Sequence, residues 1–424
     1  MKRLALVSAL CALGACAAQP QGPAQVTHVA PSRPAEPRQE EGRRRPTAIE
    51  HTAIARIITA TEEVRGLEFK MPVRVDIESA ARIAASLSEQ ITEEDVQKAA
   101  HVYQALGLLP ADVDVRELLE GVLGEQVVGY YDTDSARLVV RDDVIRILVG
   151  RPNTREAALA RLTLLHELVH ALQDQWLHLG EIYEAEHDSD DEGVVRSIAE
   201  GDAMLTMVLH DAAARGQDLR QAALERGRRP VDLNGLNGDP AGELSNAPAI
   251  LRVTLVAPYL LGLRVVARAY YEGGWDAVNA LFTTPPDSME AIMHPVETAL
   301  AVDVAMPEFP SMDEAGFEIL DEDTLGELEL GVYLAQNRDE DVDTESAKGW
   351  HGDRIRIYQR DDAIAVVWWI AFDSEEDAVR AAAAAEHAGS DVSATGRALF
   401  LTRHVSPELR ASLLAPFETF ALAL

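Results

Sequence analysis

Apolar residues recur at helical spacing over residues 47–65 (Ile49, Ile54, Ile57, Ile58, Val64), and Gly66 ends the run. MPVRVDI at 71–77 alternates as a short strand does. Two more helical stretches are predicted near 78–88 and 92–106. The second opens at Thr92 with Asp95 three residues on, an N-terminal capping pattern. Gly107 and Pro110 then break the chain. In EQVVGYYDTDSARLVV, 125–140, two β-rich runs flank Asp132-Thr133-Asp134-Ser135, which is turn chemistry and predicts a hairpin. A helix follows from about Thr154 to Trp176, with Thr154 as its cap and Glu156 in its first turn.

Beyond it, HDSDDEG at 187–193 reads as an acidic linker, and VVRSIAEGDAMLTMVLHDAAA at 194–214 as a helix. Residues 226–246 are loop-like, helices resume over 247–283, and TPPDSMEAIMHP opens with a helix-friendly Pro-Pro-Asp-Ser. The last hundred residues change character. IRIYQ, AIAVVWWIAF, a helix from about Ser374 to His387, RALFLT and a final helix read as β-β-α-β-α. No internal repeat is found. The fold class expected is α+β: a mostly helical domain with a small hairpin or sheet over 47–300, then a small α+β domain over 330–424. A chain of 424 residues is long enough for two such cores.

The first 46 residues belong to neither. Lys2 and Arg3 precede an apolar run from Leu4 to Leu13, which is signal-peptide size and too short for a membrane-spanning helix. It ends in Leu13-Gly14-Ala15-Cys16, which resembles the bacterial lipobox, so residues 1–16 are expected to be a lipoprotein signal with Cys16 lipidated. An ordinary cleaved secretory signal is the alternative. Residues 17–46 hold six prolines and almost no large apolar side chains, the composition of a disordered tether. An exported, membrane-anchored lipoprotein is the expected address, in the periplasm, on the outer membrane or on the cell surface.

Charge narrows the partners. The formal net charge is −33, and residues 1–45 carry seven basic and three acidic side chains, leaving 31 basic and 68 acidic, a net of −37, on the rest. Such a body repels nucleic acid, so no nucleic-acid partner is expected. Cys11 and Cys16 are the only cysteines, so no disulfide is expected in the body.

Chemistry concentrates in LLHELVHALQDQ, 164–175. On a helix, positions i and i+4 share a face, so His166 and His170 present two imidazoles to one point, as zinc requires. Glu167, one residue on, is positioned to act as general base. The surrounding leucines, valine and alanine make a helix apolar nearly all round, which is a buried helix. Two histidines leave a catalytic zinc site one ligand short. Gln173 and Trp176 stand where one zincin group has glycine and a third histidine, so the ligand is sought downstream. Glu200, in the small and apolar SIAEGDA, is that ligand; Asp202 is the runner-up and otherwise supports a histidine N–H. Gly201 would let two helices approach closely. Asp174, four residues past His170, either orients it, caps a local network or is plain surface acid.

LLHELVHALQDQ followed by AEGDA resembles a group of bacterial and archaeal zincin metallopeptidases, many of them lipoproteins. VVGYYDTDSARLVV, PPDSMEAIMHP and, in the C-terminal part, GWHGDRIRIY are similar to further patches of such proteins. The resemblance covers roughly residues 50–300. It implies a zincin-like fold, a Zn2+ cofactor and a peptide or protein substrate paired along a strand edge, here the 125–140 hairpin. It also implies a His or Tyr that stabilises the oxyanion, for which Tyr130, Tyr131 and His294 are candidates, His294 foremost. Met204 stands where thermolysin-type enzymes have an aspartate four residues after the glutamate ligand. The expected activity is zinc-dependent peptide hydrolysis. The alternative is a non-catalytic envelope lipoprotein whose zinc is structural and which binds a protein partner. Oligomeric state is not legible.

Overall fold

Thr47 starts the first helix, Ala48–Arg65, as a capping box: its hydroxyl accepts from Glu50 N, and the Glu50 carboxylate accepts from Thr47 N. Gly66 ends the helix in the left-handed region, φ 71°. The computed structural model describes residues 42–424 except 92, 94, 95, 98, 99, 127, 186, 237–242 and 296–299. The expected signal, Cys16 and the Thr92–Asp95 cap lie outside the described residues.

The end of the expected tether belongs to the fold. Arg43–Arg44 form strand β1, antiparallel to β2 (Arg74–Glu78). The cause is charge. Glu78 and Asp76 are buried on β2, and a buried carboxylate needs a cation. Arg43 reaches Glu78 at 2.6 Å, Arg45 reaches Asp76 at 3.2 Å, and Arg44 grips both oxygens of Glu50 at 2.7 and 2.8 Å. Arg44 draws the Glu50 carboxyl down to about 2.

The first sheet runs β1-β2-β4-β3, with β3 at Gly129–Asp132 and β4 at Arg137–Arg141. β2 and β4 are parallel; β3 and β4 are the expected hairpin, antiparallel, turning through 133–136. β3 is one edge of this sheet among the described residues, the two-residue β1 the other.

Against it lies the motif helix, Arg155–Leu177, capped by Thr154 on Ala157 N. Residues 163–173 are buried without interruption, as an all-round apolar helix must be. The next long helix, Ser189–Ala214, starts earlier than expected. The acidic stretch is its first turn, not a linker: Asp188 caps Asp191 N, and Asp190, Asp191 and Glu192 sit at the positive end of the helix dipole. The 226–246 region is only partly loop, with a helix at Leu219–Gly227 and a short 3-10 turn at Leu233–Gly235.

The core helix is Ala249–Leu281, two helices meeting at Gly274 (φ 69°, ψ −158°). It is long and apolar enough to cross a membrane, yet 67 % of its most apolar 18-residue window is buried inside the protein. Gly201 does permit a close approach, but to this helix and not to the motif helix. A Cβ on Gly201 would lie 2.3 Å from Gly262 C, and one on Gly262 would lie 1.9 Å from Ser197 O. Only glycine fits at either position.

The C-terminal sheet has five antiparallel strands in the order β5-β6-β7-β9-β8. These are β5 (Glu318–Asp323), β6 (Trp350–Arg360), β7 (Ala363–Phe372), β8 (Asp391–Thr395) and β9 (Ala398–Arg403). The order from β5 onward is therefore β-α-α-β-β-α-β-β-α, and the expectation missed β5 and β8. Both are edge strands. EILDED and DVSAT pair by backbone on one side only; EILDED does not alternate, and DVSAT alternates over just five residues with Val392 and Ala394 as its apolar positions. Alternation on β7 separates two cores: Trp368 and Ile370 face the helix Glu375–His387, while Trp369 and Ala371 face the helix Pro407–Ala423.

The expected boundary at 330 cuts the buried helix Gly326–Leu334 and leaves out β5. At this junction Asp323 accepts from Ser189 N and Oγ, and Asp190 N donates to Thr324 O. The C-terminal part thus caps the helix that carries Glu200. At coarse level the α+β expectation holds: helical layers around a small sheet, then a second α/β layer pair.

Candidate metal centre

Burial of polar groups is costly unless they find partners. His166, Glu167, His170 and Glu200 are each at most 1 % exposed. Their partners are mostly one another. Glu200 Oε2 lies 2.9 Å from His166 Nε2 and 3.5 Å from His170 Nε2. The ligand atoms of His166, His170 and Glu200 all fall within 4.8 Å of one another. Donors about 2.0–2.1 Å from a tetrahedral ion sit roughly 3.3 Å apart, so the spacing suits a metal. Two imidazoles and a carboxylate are also the donor set of open, catalytic sites. His166 Nδ1, His170 Nε2 and Glu167 Oε1 find no hydrogen-bond partner, and buried polar atoms left so want an explanation. His166, His170 and Glu200 can together hold a metal ion.

Burial pulls His170 down, but Glu200 overrides it and pushes His170 up to about 9. Burial wins at His166, which is lowered, with the neighbouring His170 adding to the effect. The two rings are 4.8 Å apart, and one proton suppresses the second. Burial raises Glu200, yet the two histidines bring it down to about 2. Burial holds the Glu167 carboxyl well above the usual range, against the pull of His170 and of the Tyr131 N–H.

Supports radiate from the ligands. His170 Nδ1 meets Gln173 Oε1 at 2.9 Å, and Gln173 Nε2 donates to Ala199 O and to Asp202 Oδ2. Asp202 therefore supports His170 through Gln173, not by direct contact as expected. Its other oxygen accepts from Arg65 Nε at 2.8 Å, and Arg65 Nη2 donates to Asn279. The Tyr259 ring stacks on His166, centroids 6.1 Å apart. Gln173 lies three residues past His170, so helical spacing would have revealed it.

Glu167 Oε2 accepts from the backbone N–H of Tyr131 on the edge strand, 3.0 Å. Asp174 caps a local network, accepting from Tyr131 Oη at 2.7 Å and from Gly180 N. Tyr130 points to the other face, among Ile83, Leu87 and Val139. His294 Nε2 meets Glu327 Oε1 at 3.0 Å. A residue missed in the sequence is Tyr183, on the short helix Leu179–Glu184. Burial raises its hydroxyl, Glu200, Glu192 and Glu167 add to this, and Arg196 opposes it. Tyr183 thus lies within electrostatic reach of Glu200 and Glu167. Nothing in its acidic setting, EIYEAEHD, marks it.

Beside His294, burial and the Glu327 and Asp373 charges push the Glu290 carboxyl from 4.5 up to about 8. Between those values the unfolded chain has lost a proton that the folded chain keeps, so stability falls as pH rises through that window. Glu290→Gln is expected to remove part of this fall. Melting temperatures of both chains at about pH 5 and about pH 8.5 test it; equal losses would refute the idea.

Comparison with known families shows that a family described as Domain of unknown function (DUF8575) matches residues 317–404. That span covers the C-terminal sheet from β5 to β9 and lies apart from the three ligands. No curated protein and no solved structure matches the chain.

Proposed function

We propose that the chain is a zinc-dependent peptidase, exported and anchored through a lipid on Cys16, in the manner of the zincin metallopeptidases its motif resembles. The observation that carries the reading is Glu167. It is fully buried beside three ligand groups, held by one oxygen and unpartnered at the other. A purely structural site needs no such acid. Zinc, when bound, supplies a Lewis acid that polarises a carbonyl and makes water a nucleophile at neutral pH.

His166, His170 and Glu200 would hold that ion, and the Gln173–Asp202–Arg65 chain fixes the His170 ring. Glu167 takes a proton from water at Oε1 and returns it to the departing amine. The edge strand β3 offers an extended peptide its backbone, and the Tyr131 N–H ties that edge to the Glu167 carboxylate. Tyr183 is a better candidate than Tyr131 for stabilising the oxyanion, because the Tyr131 hydroxyl is taken by Asp174.

The test is zinc per chain in the full-length protein, with Glu200→Ala alongside. About one zinc in the parent and a clear loss in the variant is expected, since a catalytic site draws on three protein ligands. Zinc near zero after metal-replete purification would sink the reading. Fold collapse on zinc removal, with no peptide cleaved by the loaded chain, would favour a structural site instead.

A further inference from the structure

One turn before Glu200 on the same helix face stands Arg196, beside a cavity of about 90 Å³. Glu192, Thr254 and Pro258 line the cavity from the metal-binding part, and Leu328 and Glu329 from the C-terminal part. Pro258 adjoins Tyr259, whose ring lies on His166. Arg196 and Glu200 stand four residues apart on one helix, so the cavity lies on the side of that helix that carries the ligand.

Arg196 is incompletely partnered. Its side chain is 12 % exposed, and Glu192 comes only to 4.0 Å of Nη1. Nε and Nη2 are buried and have no acceptor. Those two nitrogens form the guanidinium edge that meets a carboxylate two-for-two. The acids of the cavity are already engaged: Glu329 accepts from Tyr103 Oη at 2.9 Å, and Glu192 faces Nη1. Arg196 is the one cation lining the cavity among the described residues.

We propose that this cavity is a substrate subsite in which the Nε–Nη2 edge of Arg196 holds a carboxylate of the peptide. This rests on the peptidase reading. Four residues of helix span roughly 6 Å, and an extended chain rises about 3.3 Å per residue, so the carboxylate sits one or two residues from the cleaved bond. It is either an Asp or Glu side chain or the free C-terminus. The C-terminal part, through Leu328 and Glu329, forms one wall and so takes part in selection.

The test compares matched peptides carrying Glu or Gln within two residues of the cleaved bond, each with a free or amidated C-terminus. The zinc-loaded parent is expected to favour the carboxylate by at least about tenfold in kcat/KM. Preference for Glu whatever the terminus assigns a side chain; preference for the free acid alone assigns the C-terminus. Arg196→Gln is expected to erase the preference while keeping its zinc and its rate on neutral peptides. Arg196→Lys keeps the charge without the fork and recovers only part of it. An indifferent parent, or an Arg196→Gln chain equally slowed on all peptides, overturns the subsite.

Binding is read separately, by titrating N-acetylglutamate or neutral N-acetylglutamine amide into zinc-loaded Glu167→Gln with and without Arg196→Gln. If no peptide is cleaved, the peptidase reading falls, and Arg196-dependent binding of the acid alone still upholds the carboxylate site. Binding indifferent to Arg196 refutes it.

Discussion

Glu167→Gln is expected to lower turnover by about 10²–10⁴-fold, the usual contribution of a positioned general acid–base group. The zinc content should stay near that of the parent, because Glu167 is not one of the three grouped ligands. The amide keeps an oxygen for the Tyr131 N–H and matches the carboxylate in shape, so the fold should survive. The burial that raises the Glu167 carboxyl points the same way: an uncharged side chain suits the site better than a lone charge. Peptide turnover and zinc content, measured on one preparation, test this. A variant that cleaves at the parental rate would remove Glu167 from the chemistry and leave the three ligands without a base.

Asp202→Ala carries the largest expected loss of stability. Both partners are fully buried, and Asp202 Oδ1 meets Arg65 Nε at 2.8 Å. Removing the carboxylate strands the Arg65 guanidinium, left with Asn279 and the face of the Trp275 ring. Breaking a buried pair in this way costs about 3–5 kcal/mol. Gln173 also loses one hold, so zinc affinity should fall by about 10–100-fold, as when outer supports of a ligand are removed. Asp202→Asn, which keeps an acceptor, should lose less. Urea unfolding of the metal-free chains measures the first effect and competitive chelation the second. A loss under about 1 kcal/mol would show that Arg65 finds another partner.

The motif helix was legible because its signals agree. The period puts His166 and His170 on one face, Thr154 caps the start, and the apolar flanks demand burial. Glu200 was legible for the opposite reason: an acid in a stretch of small, apolar residues needs a partner. The misreadings share a cause. Asp190, Asp191 and Glu192 look like a solvated linker, but they begin a helix that the C-terminal part caps from 134 residues away. Arg43 and Arg44 look like disordered-chain composition until the buried acids of β2 and Glu50 are known. β5 escaped notice because an edge strand needs no apolar alternation, and β8 because its alternation spans five residues with one large apolar side chain, Val392. Tyr183 and Arg196 gain meaning only from helices that meet in three dimensions.

The capping of Ser189 by Asp323 bears on how this protein can vary. A part that merely hangs from a chain can be exchanged by recombination without loss. Here the first turn of the helix bearing Glu200 is closed by residues contributed more than a hundred positions later, and Gly326 has no room for a Cβ beside Asp190. A shuffled descendant given a different C-terminal part would inherit a helix with its first amides uncapped. The two parts are therefore bound to be inherited together.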